Sequence, residues 1–138
     1  MSFLLDTNIV SEARRRTQNA GFARWWGDVS SSRLYLSALT VGEIERGIHK
    51  LRHRGDQDRE RADVLADWLT GLSAQFSDRI LPVTADVAAE WGRQCAPRKV
   101  PSIDGLIAAT ARVHGLTLVT RNLADMAGLG AQVHNPFE

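Results

Sequence analysis

Three apolar residues near the N-terminus, Phe3-Leu4-Leu5, give way abruptly to Asp6-Thr7-Asn8, and this change constrains the fold more than any other stretch. A short run that is apolar at every position fits a strand buried on both faces, as in a parallel sheet. The carboxylate, hydroxyl and amide that follow fit the turn from a strand into a helix. In open α/β sheets, ligands bind outside the carboxyl ends of the strands. Asp6 is therefore either a helix cap or a member of a site.

Further short apolar runs alternate with helical patterns along the chain. Strands are predicted at residues 34–36, 80–83, 116–119 and 132–134, with Pro82 indicating an edge strand or a strand end. Helices are predicted at residues 9–16, 21–29, 40–51, 64–72 and 85–95, and from 102 to the C-cap Gly115. Strands that alternate with helices predict a parallel α/β sheet.

The bulk composition limits the classes of protein to consider. At 138 residues the chain is expected to form one domain, residues 1–138, with a two- or three-layer core. Its net charge of +1 argues against a strongly basic nucleic-acid-binding surface, although local patches remain compatible with it. The single cysteine, Cys95, excludes an intramolecular disulfide. No apolar run reaches the roughly 18 residues of a membrane span and no signal peptide is evident, so we expect a cytoplasmic protein without a membrane partner.

Four acidic residues stand at predicted strand ends or helix starts, namely Asp6, Glu43, Asp104 and Asp125. Each also fits a structural role, because acids stabilise helix N-termini. These roles are a cap of the first helix for Asp6, a capping box with Thr40 for Glu43, the turn after a Ser102 cap for Asp104, and a capping partner of Asn122 for Asp125. Taken singly, each acid fits the structural role better.

Taken together, the four acids indicate a different role. In a parallel sheet the strand ends and the helix starts that follow them gather on one rim, so acids at these places face one small volume. Carboxylates held together without lysine partners repel one another, and helix N-termini offset only part of that repulsion. A hard divalent cation relieves it, and Mg²⁺ and Mn²⁺ prefer oxygen ligands. Such a cluster suits metal-assisted hydrolysis of a phosphodiester.

Four motifs, in matching order and spacing, resemble those of PIN-domain ribonucleases, and especially the VapC-type toxins of bacterial toxin–antitoxin pairs. They are Leu4-Leu5-Asp6-Thr7-Asn8, SALTVGE at 37–43, SIDGLIAATA at 102–111 and Leu118-Val119-Thr120-Arg121-Asn122, and the terminal Asn135-Pro136-Phe137 is also in the style of the family. The resemblance implies an α/β fold, a three-layer α/β/α sandwich around a mostly parallel sheet of about four or five strands. It also implies an endoribonuclease that hydrolyses RNA phosphodiester bonds with Mg²⁺, or Mn²⁺, as cofactor.

Carried over residue by residue, the resemblance makes Asp6 and Asp104 the principal metal ligands. Glu43 matches the third acid, which helps to position metal or water. Many relatives carry Asp directly after Thr-Arg, whereas this chain has Asn122 there. Either Asn122 binds the metal through its neutral oxygen, or Asp125 reaches the site from one helical turn away. The predicted catalytic residues are therefore Asp6, Glu43, Asp104 and Asp125.

Hydroxyl and basic side chains complete the predicted site. Thr7 and Thr120 are candidates to hydrogen-bond the acids or a metal-bound water, with ordinary turn hydroxyls as an equally good alternative. Arg121 is the best candidate to bind substrate, because it adjoins the fourth motif and phosphate contacts supply most of the affinity for RNA.

The resemblance also implies a homodimer that is inhibited by a cognate VapB-type antitoxin, with which it forms a heteromeric complex. Any contact with DNA is expected to come through the antitoxin. The amphipathic helix around residues 64–72, with the region of Trp25 and Trp26, could offer an apolar groove to a partner helix. A dimer contact or plain core burial explains these residues just as well.

Two other classes of function compete with the nuclease. A non-catalytic PIN-fold protein-binding module would keep the fold and the partner surface, and the altered fourth motif favours it. Another Mg²⁺-binding α/β domain, such as a phosphoacceptor receiver or a phosphatase, typically needs a positioned lysine. Lys50 and Lys99 are the only lysines and neither follows a predicted strand, while dinucleotide binding lacks its G-x-G-x-x-G signature.

Overall fold

The computed structural model describes residues 1–126 and 128–137 of the chain. In this part, five strands form one parallel sheet in the order β3-β2-β1-β4-β5. The strands are β1 (Phe3–Leu5), β2 (Leu34–Ser37), β3 (Ile80–Leu81), β4 (Thr117–Val119) and β5 (Val133–His134). The helices are α1 (Thr7–Ala13), α2 (Ala20–Asp28), α3 (Ala38–His53), α4 (Arg59–Gln75), α5 (Ala85–Cys95), α6 (Ser102–His114) and α7 (Leu123–Met126), with 3₁₀ helices at Ser31–Arg33 and Asp56–Asp58.

The central strand β1 divides the core into two layers, because consecutive side chains of a strand point to opposite faces. Leu5 belongs to a cluster with buried residues of α1 to α4, such as Phe22 and Ile48. Leu4 belongs to a second cluster, which includes Ile107 of α6. Helices therefore cover both faces of the sheet, and the expected three-layer α/β/α sandwich is confirmed.

The helix starts differ from those predicted, because the capping side chains differ. Helix α1 begins at Thr7 rather than residue 9, since Asp6 caps it, and it ends at Ala13. Helix α3 begins at Ala38, and the Ser37 hydroxyl accepts a hydrogen bond from the Leu39 N–H at 3.0 Å. The predicted capping box at Thr40 is therefore wrong.

Helix α6 shows one wrong and one confirmed boundary. Pro101 occupies the position before the helix, so Ser102 is its first residue rather than its cap. Gly115 ends the helix in the left-handed conformation with φ of 65°, as predicted. Strand β3 likewise ends at Leu81, before Pro82, and lies at the edge of the sheet.

The order of the strands reverses beside β1, which lies between β2 and β4. Such a switch point opens a crevice outside the carboxyl ends of the strands, where ligands bind in α/β proteins. The register pairs Leu5 with Val119, and the Asp6 N–H donates to the Val119 carbonyl at 2.9 Å. Asp6 and Thr120 therefore leave the sheet side by side at this crevice.

In the part of the chain that the structure describes, none of the helices combines the length and the apolar character needed to cross a membrane.

Candidate active site

Asp6 acts both as a helix cap and as part of a cluster of polar side chains. Its Oδ1 accepts a hydrogen bond from the Thr7 N–H at 2.8 Å. Its Oδ2 accepts a second one from the Thr120 hydroxyl, also at 2.8 Å. The side chain is buried, with 5% of its surface exposed. The cap and the site are therefore compatible roles for Asp6, since each uses a different oxygen.

Glu43 lies inside α3 and is held by a hydroxyl group from α1. The Thr7 hydroxyl donates to Glu43 Oε1 at 2.5 Å, and Thr7 Oγ1 also lies 3.3 Å from Thr40 Oγ1. Thr40 is fully buried beneath this contact rather than placed at the helix start. Glu43 therefore does not form the predicted capping box. Its carboxylate instead binds Thr7, which lies just after β1.

Asp104 lies in the first turn of α6 and is partly buried. Burial is the largest cause that raises the pKa of its carboxyl group, followed by the negative charges of Asp6, Glu43 and Asp125. All the neighbouring charges that raise this pKa are carboxylates. The structure therefore brings Asp6, Glu43 and Asp125, which come from separate segments, close enough to Asp104 for their charges to act on it.

The fourth position involves both Asn122 and Asp125. The Asn122 side-chain amide donates to Asp125 Oδ2 at 3.1 Å, and its backbone N–H donates to Thr120 Oγ1 at 3.0 Å. Asn122 thus bridges two parts of the cluster. Its backbone binds the Thr120 hydroxyl, which holds Asp6, and its side chain binds Asp125, whose charge acts on Asp104. Both candidate hydroxyls, Thr7 and Thr120, are hydrogen-bonded to carboxylates of the cluster.

The cluster suits a metal that brings some of its own ligands. Within residues 1–126 and 128–137, no three His, Cys, Asp or Glu side chains converge closely enough to hold a metal ion by themselves. Mg²⁺ usually takes one or two carboxylates and completes its shell with water and substrate phosphate. The oxygen donors and the uncompensated repulsion at Asp104 fit such an ion.

Arg121 is exposed and lies directly between Thr120 and Asn122. Its guanidinium carbon lies 4.2 Å from the centroid of the Phe137 ring. Phe137 in turn packs against Phe22, with 5.5 Å between the ring centroids. The predicted substrate-binding arginine is therefore held by an aromatic ring from the C-terminal segment.

A close contact between α5 and α6 supports the turn that carries Asp104. A Cβ atom on Gly105 would lie 2.8 Å from Cys95 Sγ and 2.9 Å from Trp91 Cδ1. The Trp91 Nε1 atom at this contact is buried without a hydrogen-bond partner. Gly105 thus allows the two helices to approach directly beside Asp104.

Sequence reasoning missed three residues around the site, namely Thr40 beneath Thr7, Gly105 beside Asp104, and Phe137 beside Arg121. The glycine directly after an acid at a helix start was a usable signal, because such a glycine often marks a close approach. The other two contacts join distant positions and leave no local pattern.

Comparison with known proteins identifies a family, named relatives and solved structures with the same fold. The PIN-domain family model matches residues 3–126. The chain is 32% identical to Toxin FitB of Neisseria gonorrhoeae, over 97% of each chain. It is 29% identical to VapC ribonuclease Y4jK of Sinorhizobium fredii, over 98% of this chain and 97% of the relative.

Two solved structures superpose over nearly the whole chain. The crystal structure of FitAcB from Neisseria gonorrhoeae gives a TM-score of 0.84 at 31% identity, over 97% of each chain. A structure of FitAB bound to an IR36 DNA fragment gives a TM-score of 0.81 at 30% identity, over 99% of this chain and 96% of the other.

Proposed function

This chain belongs to the PIN-domain family, and from that membership and its cluster of acids we propose that it is a metal-dependent endoribonuclease, the toxin of a bacterial toxin–antitoxin pair. The observation that carries the proposal is that the charges of the other three predicted acids act on Asp104, while Thr120 and Asn122 join Asp6 to Asp125 by hydrogen bonds beside the switch point of the sheet. The relatives named as a toxin and as a ribonuclease support it. We propose that it acts on RNA in the cytoplasm.

The residues divide the work of phosphodiester hydrolysis. Asp6 and Asp104 would hold Mg²⁺ or Mn²⁺, which when bound polarises the phosphate and helps to form the attacking hydroxide. Glu43, oriented by the Thr7 hydroxyl, would align the attacking water and accept its proton. Thr120 keeps Asp6 in its orientation by donating to Oδ2.

At the fourth position we assign the acidic role to Asp125. Its charge acts on Asp104, whereas the Asn122 amide donates a hydrogen bond to Asp125. An amide that donates through nitrogen is oriented to position the neighbouring carboxylate. Asn122 would then act through Asp125 rather than as the ligand itself.

RNA cleavage by purified, partner-free protein tests this function. We expect cleavage with Mg²⁺ or Mn²⁺, none with a chelator, and a loss of at least about a hundredfold in Asp6→Asn and Asp104→Asn. Asp86→Asn is the matched control, since Asp86 also lies in the first turn of a helix and outside the cluster. Variants at Asp6 and Asp104 that cut as fast as wild type would refute the catalytic assignment.

We further propose inhibition by a cognate VapB-type antitoxin, with DNA bound through that partner and the toxin itself forming a homodimer. The solved structure of FitAB bound to an IR36 DNA fragment supports a complex that binds DNA. A candidate antitoxin site is a cavity of about 250 Å³ between α1, α2 and α4, lined in part by Val10, Trp26, Trp68 and Leu72. Co-expression with a candidate VapB-type antitoxin and co-purification would test the partner.

The alternative is a non-catalytic protein-binding module with the same fold. The lack of three converging metal ligands among the described residues favours it. Expression in cells separates the two functions, because a nuclease toxin loses growth arrest when Asp6 is replaced by Ala. Growth arrest that persists in Asp6→Ala would favour binding alone.

A further inference from the structure

Phe137 contacts Arg121 and Phe22 but has no role in the proposed reaction. The Arg121 guanidinium carbon lies 4.2 Å from the centroid of its ring, within the range of a cation–π interaction. Arg121 is exposed and directly follows Thr120, whose hydroxyl holds Asp6. The ring therefore contacts the arginine of the fourth motif.

The Phe137 ring is itself held firmly. It packs against Phe22, which is fully buried and stacks on Trp26 with 5.4 Å between centroids. The Phe137 N–H donates to Asn135 Oδ1 at 2.9 Å, which fixes the turn that presents the ring. The ring is thus a rigid platform, anchored in the core cluster beneath α2.

The position of the Arg121 guanidinium over the Phe137 ring suits phosphate binding. A guanidinium group that stacks on a ring uses its face, whereas its N–H donors point outward in the plane of the group. Those in-plane donors are the ones that bind phosphate oxygens in pairs. An exposed arginine without such a platform would spread over many rotamers, so the ring reduces the freedom that RNA binding would otherwise have to remove.

We propose that Phe137 is a positioning residue for RNA binding, which holds Arg121 so that its N–H donors bind a substrate phosphate beside the acid cluster. This inference rests on the proposed function and assigns the phosphate-binding role to one cation. It also gives the C-terminal Asn135-Pro136-Phe137 segment a part in substrate binding.

The test measures binding of a fluorescein-labelled, mixed-sequence single-stranded RNA to full-length protein carrying Asp104→Asn, so that the probe stays intact. Phe137→Leu keeps apolar bulk against Phe22 and should weaken binding by about two- to fivefold, the size of an exposed cation–π contact. Phe137→Tyr keeps the ring face and should bind like its parent. In the cleaving protein, Phe137→Leu should raise KM and leave kcat unchanged.

Arg121→Gln supplies the second arm of the experiment. It should weaken binding and lower the salt dependence by about one phosphate contact, roughly 0.7 in the slope of log K against log salt. In this background Phe137→Leu should have no further effect. An equal loss with and without Arg121 would overturn the proposal, because the ring would then act through the fold.

The controls separate this inference from the proposed function. If wild type cuts RNA while the Leu and Tyr variants bind it equally well, the role of Phe137 is refuted and the nuclease stands. If wild type neither cuts nor binds RNA, the nuclease proposal fails and the role of Phe137 fails with it.

Discussion

Thr120 is the residue at which the fold and the candidate site depend on the same atom. Its hydroxyl donates to buried Asp6 and accepts from the Asn122 N–H. Thr120→Val keeps the shape but leaves a buried carboxylate oxygen unpaired, so we expect a loss of about 1–3 kcal/mol in the free energy of unfolding and a loss of RNA cleavage. Thr120→Ser keeps the hydroxyl group and should retain both the stability and the RNA cleavage of the wild type. Urea denaturation checks the stability, and equal values for the Val and Ser variants would contradict it.

Asp104 and Asp86 both lie in the first turn of a helix, but the charges of other acids act on Asp104. Asp86→Asn should cost about 0.3–1 kcal/mol through the helix dipole. Asp104→Asn loses the same contribution and also relieves repulsion from Asp6, Glu43 and Asp125. In a chelator we therefore expect a higher Tm for Asp104→Asn than for Asp86→Asn, and the reverse order in a thermal melt would count against the cluster.

Among the structural elements, the packing of α5 on α6 depends on Gly105. A methyl group there would meet Cys95 and Trp91 at under 3 Å, so Gly105→Ala should cost about 1–3 kcal/mol and lower RNA cleavage by shifting Asp104. Gly92→Ala is the matched control on α5, because its added Cβ meets nothing within 4 Å. It should be neutral or stabilising by up to about 1 kcal/mol. Similar Tm values for the two variants would show that α5 and α6 can accommodate the added methyl group without a loss of stability.

The elements themselves were largely predictable, since strands and helices follow local apolar patterns. The starts of α1 and α3 were not, because a cap depends on which side chain reaches the free N–H groups. Ser37 takes that role in α3, while Thr40 is drawn into the core beneath Thr7. The four acids could be proposed as one site because strand ends and helix starts are recognisable in sequence. The contact of Phe137 with Arg121 could not, because it depends on how the C-terminal segment folds back over α2.

For the whole molecule, the crowding of acids makes stability depend on pH. Burial and the negative neighbours raise the pKa of Asp104, so the native state takes up a proton more readily than the unfolded chain. The free energy of unfolding of metal-free protein should therefore fall as the pH rises from the usual aspartate range through the raised pKa. Asp104→Asn lacks this contribution. Urea unfolding across that pH range measures it, and a wild type that gains stability relative to Asp104→Asn would contradict it.

The hydrogen bond between Thr120 and Asp6 joins positions 114 apart in the chain. During translation, Asp6 leaves the ribosome before β4, Thr120 and Asp125 have been synthesised. A nascent chain that has not reached Thr120 lacks the neighbour strand and the hydroxyl that complete the crevice. The proposed nuclease therefore cannot act on RNA until the 114 positions that separate Asp6 from Thr120 have been synthesised, so the candidate site stays incomplete throughout that part of translation.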